Sequence, residues 1–182
     1  MNNKGLIYVF EGDGKGKTSA ALGVSLRMLL LNKKVVWISW LKEKSWKTAE
    51  MKLTNNFKNN LKMYWMGRGF FGGPMDNNTL DGHKNAAERA LLLAKGILSS
   101  KEGTGGMVDL LVLDEVLRAV NDGLLNISDV IKVVKTHGET HLILTGHDCP
   151  REIVDIADLV TKMKKVKHPY DKGILAVSGL DF

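Results

Sequence analysis

Nine residues near the N-terminus, Glu11-Gly12-Asp13-Gly14-Lys15-Gly16-Lys17-Thr18-Ser19, have the types and spacing to hold phosphate. Glycines let successive backbone N–H groups turn inward as an anion nest. A helix starting just after them adds the partial positive charge of its N-terminus, and Lys17 adds a full one. Thr18 can offer its hydroxyl to magnesium, and the whole run from Gly12 to Ser19 is the candidate nucleotide-binding segment. The loop is one residue short. Only Asp13, Gly14 and Lys15 separate Gly12 from the Gly16-Lys17 pair, where the common P-loop has four residues. A tighter nest with a second lysine inside it would seat a triphosphate differently from an ordinary ATPase, so attack at the γ-phosphorus is not the default expectation.

A second constellation is Leu110-Leu111-Val112-Leu113-Asp114-Glu115, an apolar run ending in two acids. It has the form of a buried strand that delivers a carboxylate to the magnesium beside a P-loop. Alone, such a pair is more often the acidic start of a helix. Joined to the phosphate loop far upstream, it makes Asp114 and Glu115 candidate ligands, with Thr18, for Mg2+ or Mn2+.

These residues need elements to position them, and hydrophobic periodicity supplies candidates. Gly5–Glu11, Val35–Trp40, Lys62–Met66, Asp109–Asp114 and His141–Thr145 read as strands, with Leu159–Lys165 and Ile174–Ser178 as two further possibilities. Helical spacing runs through Lys17–Leu31, Leu80–Ser100, Glu115–Asp122, Asp129–His137 and Arg151–Ala157, with Ser128 as an N-cap and Gly123 and Gly138 as stops. Continuous Val, Ile and Leu runs suit strands covered on both faces. Strand and helix in alternation predict an α/β fold: a mostly parallel sheet with helices on both faces. The segment Lys101–Gly106 reads as a loop, and Gly67–Asn78, rich in Gly and Asn, as a long surface excursion.

A length of 182 residues suits one domain spanning 1–182. A hydrophobic fraction of 44% with 25% charged residues and 3 Pro excludes a disordered or fibrous chain. The net charge of +6 and pI near 9.3 invite a polyanionic partner. One cysteine, Cys149, excludes an internal disulfide and is too few for a cysteine-ligated cluster, which points to the cytoplasm. No apolar run reaches transmembrane length, so no membrane partner is expected. No RNP, helix-turn-helix or zinc-finger pattern supports nucleic-acid binding.

In order along the chain, several segments resemble one family, the P-loop ATP:corrinoid (cob(I)alamin) adenosyltransferases. The match is carried by Gly12-Asp13-Gly14-Lys15-Gly16-Lys17-Thr18, Gly67-Arg68-Gly69-Phe70, Leu113-Asp114-Glu115, Leu144-Thr145-Gly146, Ala157-Asp158-Leu159-Val160-Thr161 and Lys167-His168-Pro169-Tyr170-Asp171-Lys172-Gly173. The last is far more specific than a P-loop alone. The resemblance implies a RecA-like P-loop NTPase fold, a homodimer, and Mg-ATP and a corrinoid as substrates. It further implies transfer of the 5′-deoxyadenosyl group to a Co(I) centre with release of triphosphate, in adenosylcobalamin formation or salvage. Lys17 and Glu115 are then the catalytic residues, Phe70, Phe71 and Lys42 face the corrinoid, and His168 belongs to the family element. The alternatives are another P-loop kinase or ATPase, and a nucleotide- or corrinoid-binding paralogue without catalysis.

The chain departs from the family at three places. Where members carry Thr-Trp after Gly-Phe it has Phe71-Gly72, with Phe71 a candidate replacement for the tryptophan. Where they carry Thr-Gly-Arg it has Thr145-Gly146-His147, so a permanent charge becomes one that titrates near neutrality. Where they carry a Gln-Phe segment after the second strand it has Ser39-Trp40-Leu41, with Lys42 retained. Among other residues, His83, His137 and His141 read as surface or local hydrogen-bonding groups. Cys149 reads as structural, although a helix start could lower its pKa. Ala86, Ala87, Ala90 and Ala94 permit close helix packing and so a dimer contact. The positive charge is local: Lys42–Lys62 and Lys162–Lys172 each net +4. That concentration suits attraction of ATP and of an external flavoprotein reductant, because the chain has no redox centre of its own.

Overall fold

The computed structural model describes residues 4–46, 48–73, 76–99 and 108–181. The loop expected at Lys101–Gly106 lies outside them. Six strands form one sheet: β1 (Ile7–Glu11), β2 (Val35–Ser39), β3 (Leu61–Trp65), β4 (Leu110–Asp114), β5 (His141–Gly146) and β6 (Leu159–Lys162). Their order is β3-β2-β4-β5-β1-β6, and every pairing is parallel. The helices are α1 (Lys17–Leu30), α2 (Leu53–Asn56), α3 (Leu80–Ser99), α4 (Val116–Asn121), α5 (Ile127–Val134) and α6 (Arg151–Val154).

Alternation along each strand sends side chains to two separate cores. On one face Val9, Ile38, Leu111, Leu113, Leu142 and Leu144 pack against α3, α4, α5 and α6. On the other, Phe10, Trp37, Leu110, Val112 and Ile143 meet Ala21 and Leu29 of α1, with Leu53 and Phe57 from the α2 segment. Helices therefore cover both faces, as the continuous apolar runs require, and each fully buried strand residue is worth about 1.5–3 kcal/mol of transfer free energy. Ala86, Ala87, Ala90 and Ala94 are spent on this chain's own core, so their smallness is explained without a dimer.

Two expected elements differ, and two short ones carry no expectation. Ile174–Ser178 forms no strand, because the sheet already ends at β6. The chain beyond Lys162 turns under the phosphate loop instead, where the Gly14 N–H donates to the Met163 carbonyl at 2.8 Å. Helix α5 starts earlier than its apolar spacing suggests: Asn126, not Ser128, is the cap, its side chain accepting from the Ser128 N–H at 2.9 Å. A 3-10 turn at Ala49–Lys52 and the short α2 occupy a stretch with no periodic signal. His83 and His137 are buried rather than superficial, although each makes a local hydrogen bond.

Candidate active site

In a parallel sheet all strands end on the same edge, and the loops leaving that edge converge. Here the loop after β1 is the phosphate nest. Gly12 at φ 112° and Gly16 at φ 122° occupy backbone conformations open to glycine, and a Cβ on Gly12 would lie 2.3 Å from the Met163 carbonyl oxygen. Lys17 folds back over the loop, its Nζ donating to the carbonyls of Gly12 at 2.7 Å and Gly14 at 3.1 Å. Asp13 accepts from the Lys165 N–H at 3.3 Å. Lys15 is engaged by the C-terminal segment, donating to the Leu180 carbonyl at 2.8 Å and pairing with Asp181, both of which border the cavity that opens beside the loop.

Strand β5 lies between β1 and β4, so its end bridges the nest and the two acids. Asp114 is fully buried. Its Oδ1 accepts from Thr18 Oγ1 at 3.2 Å and Thr145 Oγ1 at 2.9 Å, and its Oδ2 from Ser39 Oγ at 2.9 Å. The Glu115 N–H donates to Thr145 Oγ1 at 2.8 Å, with Glu115 itself held at φ 62°. Burial, with the adjacent Asp114 charge, pushes the Glu115 carboxyl up to about 7. Thr18, Asp114 and Glu115 thus offer a hydroxyl and two carboxylates, an all-oxygen set suited to a hard cation such as Mg2+ whose remaining positions are filled by phosphate and water. Among the described residues no group of three or more His, Cys, Asp or Glu forms a metal site from protein alone.

A cavity of about 530 Å³ opens beside this arrangement, lined by Thr18, Ser19, Lys42, Phe70, Glu115 and His147 among others. Lys42 pairs with Glu50 and lies 3.9 Å from Asp114 Oδ2. Phe70 is 58% exposed at the mouth, its ring centroid 5.3 Å from that of Trp46. Phe71 points elsewhere: it packs against the core and meets the His83 ring edge-on at 5.3 Å. His147 lines the cavity, and burial together with the charges of Lys17 and Arg118 lowers its pKa, so it is neutral at pH 7. His168 caps the Pro169–Lys172 turn, its Nδ1 accepting from the Tyr170 N–H at 3.1 Å. Burial and Glu11 raise the Cys149 thiol to about 11, in keeping with a structural residue rather than a helix-activated one.

The structure therefore brings Gly12 to Ser19, Asp114, Glu115, Lys42 and Phe70 to one edge, while Phe71 and His168 support loops. Sequence reasoning missed Ser39, Thr145 as an Asp114 partner, Trp46 and Arg118. For Thr145 the quoted Leu144-Thr145-Gly146 motif was a usable signal; for Ser39 and Trp46 no local pattern marks the role.

A P-loop on a parallel α/β sheet, with a buried acid two strands away, defines a nucleotide-binding protein of the RecA-like class. The family model for ATP:corrinoid adenosyltransferase BtuR/CobO/CobP matches residues 3–182. Corrinoid adenosyltransferase CobA of Salmonella typhimurium is 31% identical over 183 residues, covering 100% of this chain and 88% of the relative. The corrinoid adenosyltransferase of Escherichia coli is 30% identical over 184 residues with the same coverage. Among solved structures, a KaiC-like protein from Pyrococcus horikoshii aligns with a TM-score of 0.52 at 15% identity, covering 92% of this chain and 75% of its own, a likeness of fold alone. The chain belongs to the ATP:corrinoid adenosyltransferase family, and it is a corrinoid adenosyltransferase that uses ATP.

Proposed function

We propose that the protein, acting as one unit over 1–182, transfers the 5′-deoxyadenosyl group of Mg-ATP to a corrinoid reduced to Co(I). The observation that carries this reading is the single cavity in which Thr18, Ser19 and Glu115 share walls with the exposed ring of Phe70. Phosphate and a large flat apolar substrate can meet there. The electron pair of Co(I) forms the Co–C bond at C5′, the C5′–O bond breaks, and its electrons leave with inorganic triphosphate. The nucleophile is the substrate's own metal, so no Ser, Cys or His nucleophile is required.

The residues then divide the work. Backbone N–H groups of the loop from Lys15 to Thr18 hold the phosphates, those of Gly12 and Gly14 being engaged by the Gly146 and Met163 carbonyls, and Lys17 exchanges its two carbonyl partners for phosphate oxygens as charge develops on the leaving group. Thr18, Asp114 and Glu115 would hold Mg2+, which when bound neutralises triphosphate charge. Thr145 and Ser39 fix Asp114 in place. Phe70 and Lys42 face the corrinoid, and Phe71 and His168 hold their loops. A homodimer and an external flavoprotein reductant belong to the same reading, as does a cytoplasmic setting; no helix among the described residues is long and apolar enough to cross a membrane. The basic segments are partly neutralised within the chain by the Lys42–Glu50, Lys162–Glu11 and Lys165–Asp171 pairs, leaving the other lysines for an acidic donor.

Anaerobic incubation with chemically reduced cobalamin and ATP tests the reading. Loss of the Co(I) absorbance with stoichiometric triphosphate is expected. ADP without alkylation would overturn it in favour of a kinase or ATPase.

A further inference from the structure

The basic residues lining the cavity beside the phosphate loop are Lys42, Arg118 and His147. Lys42 is engaged by Glu50, with Asp114 nearby. His147 is uncharged at neutral pH, since burial and two neighbouring cations oppose its protonation. Arg118 keeps its charge at any physiological pH. It stands on α4 one turn after Glu115, and its Nε donates to both Asp122 oxygens at 2.8 Å. Asp122 does not line the cavity, so this pair pins the guanidinium from behind. Among the described residues its hydrogen bonds all run through Nε, which leaves the two Nη groups for a ligand.

The turn after β5 is fitted against the same part of α4. A Cβ on Gly146, at φ 147°, would lie 2.7 Å from Leu117 Cβ and 2.8 Å from the Arg118 nitrogen. Asn121 Nδ2 also donates to the His147 carbonyl at 2.6 Å. Arg118 and His147 are thus held on two segments in direct contact, bordering one cavity, and only one of them carries a permanent charge.

We propose that Arg118 is a further triphosphate-binding residue, a guanidinium that grips phosphate oxygens from the α4 side while Lys17 holds them from the nest. The proposal rests on ATP occupying this cavity. A planar fork with two free amino groups matches phosphate oxygens in bidentate fashion, which a neutral imidazole cannot do. Its distance from the P-loop in sequence explains why no motif marks it.

Direct binding of Mg-ATP and of adenosine to the full chain tests it. Arg118→Gln should raise the Kd for ATP about tenfold or more and leave that for adenosine unchanged, with Arg118→Lys in between. His147→Arg introduced into Arg118→Gln should recover part of the ATP affinity, because it returns a permanent charge to the same wall. Equal loss for ATP and adenosine would show a structural role and overturn the proposal, as would an unchanged ATP affinity. Wild-type protein that bound no ATP would overturn the ATP reading and this inference together; wild-type binding with an unaffected Arg118→Gln would overturn this inference alone.

Discussion

The phosphate end of the cavity and its aromatic end are built by different means. At the phosphate end, Asp114 is fully buried and its carboxylate accepts from three hydroxyls contributed by α1, β2 and β5. At the aromatic end, Phe70 stands out in solvent on the excursion after β3. That excursion is tied down at its flanks: Gly69 N–H donates to the Leu41 carbonyl at 2.9 Å, and Asp76 accepts from His83, Gly72 and Asn78. Those bonds hold the Asp76 carboxyl well below the usual carboxylate range, the His83 contact most of all. The difference teaches that charge is handled by groups each fixed by several hydrogen bonds, whereas the apolar wall, with Phe70, Trp46 and Leu53 in it, rests on side-chain packing beside a loop tied down at its flanks.

The largest break in that contrast is Lys17→Ala. It removes the one full charge folded over the nest, so turnover should fall by at least about a hundredfold while the fold survives. Single-turnover kinetics with reduced corrinoid checks this, and unchanged turnover would disprove the role given to the loop.

Next is the pH response of Glu115. Glu115 titrates near 7 in the fold against 4.5 when unperturbed. The folded state therefore binds more protons than the unfolded one between these values, and stability falls as pH rises through that window. With a chelator present, the stability advantage of Glu115→Gln over wild type should grow by roughly 2–3 kcal/mol from pH 4.5 to 7.5 in denaturant unfolding, a comparison in which the opposite contribution of His147 cancels. An advantage that stayed constant across the window would contradict the raised Glu115 carboxyl.

How far the sequence discloses this site depends on the range of the interactions. The nest was legible because strand, glycines, lysine and helix are contiguous from Ile7 to Leu30. Asp114 was legible from its apolar strand, and the sheet from its buried runs. Ser39 as a carboxylate partner was not, since the contact crosses 75 residues and depends on β2 lying beside β4. The tail contact of Lys15 spans 165 residues. Ile174–Ser178 has strand-like composition, but strand formation needs a neighbour, and β6 leads the chain away from the sheet. Cys149 stays a structural thiol, because burial and the Glu11 carboxylate outweigh its local helix start, at α6 of four residues.

Phe71→Ala sharpens the comparison from the structural side. The ring packs on the core and against His83, so its loss should cost about 2 kcal/mol, below the range for a fully buried Phe because the site is only partly enclosed. Chemical denaturation measures it, and a change within experimental error would place the ring outside the packing of the excursion.

Phe70→Ala is the smallest expected effect and the most discriminating. The ring is exposed, so its removal leaves the melting midpoint nearly where it was; the contact with Trp46 is worth only about 0.5–1.5 kcal/mol. If the ring is the wall against which the corrin lies, the KM for reduced corrinoid should rise about tenfold or less while the KM for ATP stays constant, because the nest, Asp114 and Glu115 are untouched. Phe70→Trp keeps an aromatic face and should restore corrinoid affinity. A parallel rise in both constants would mean that the ring also serves the phosphate end, which would remove the division of labour between a charged end and an apolar one.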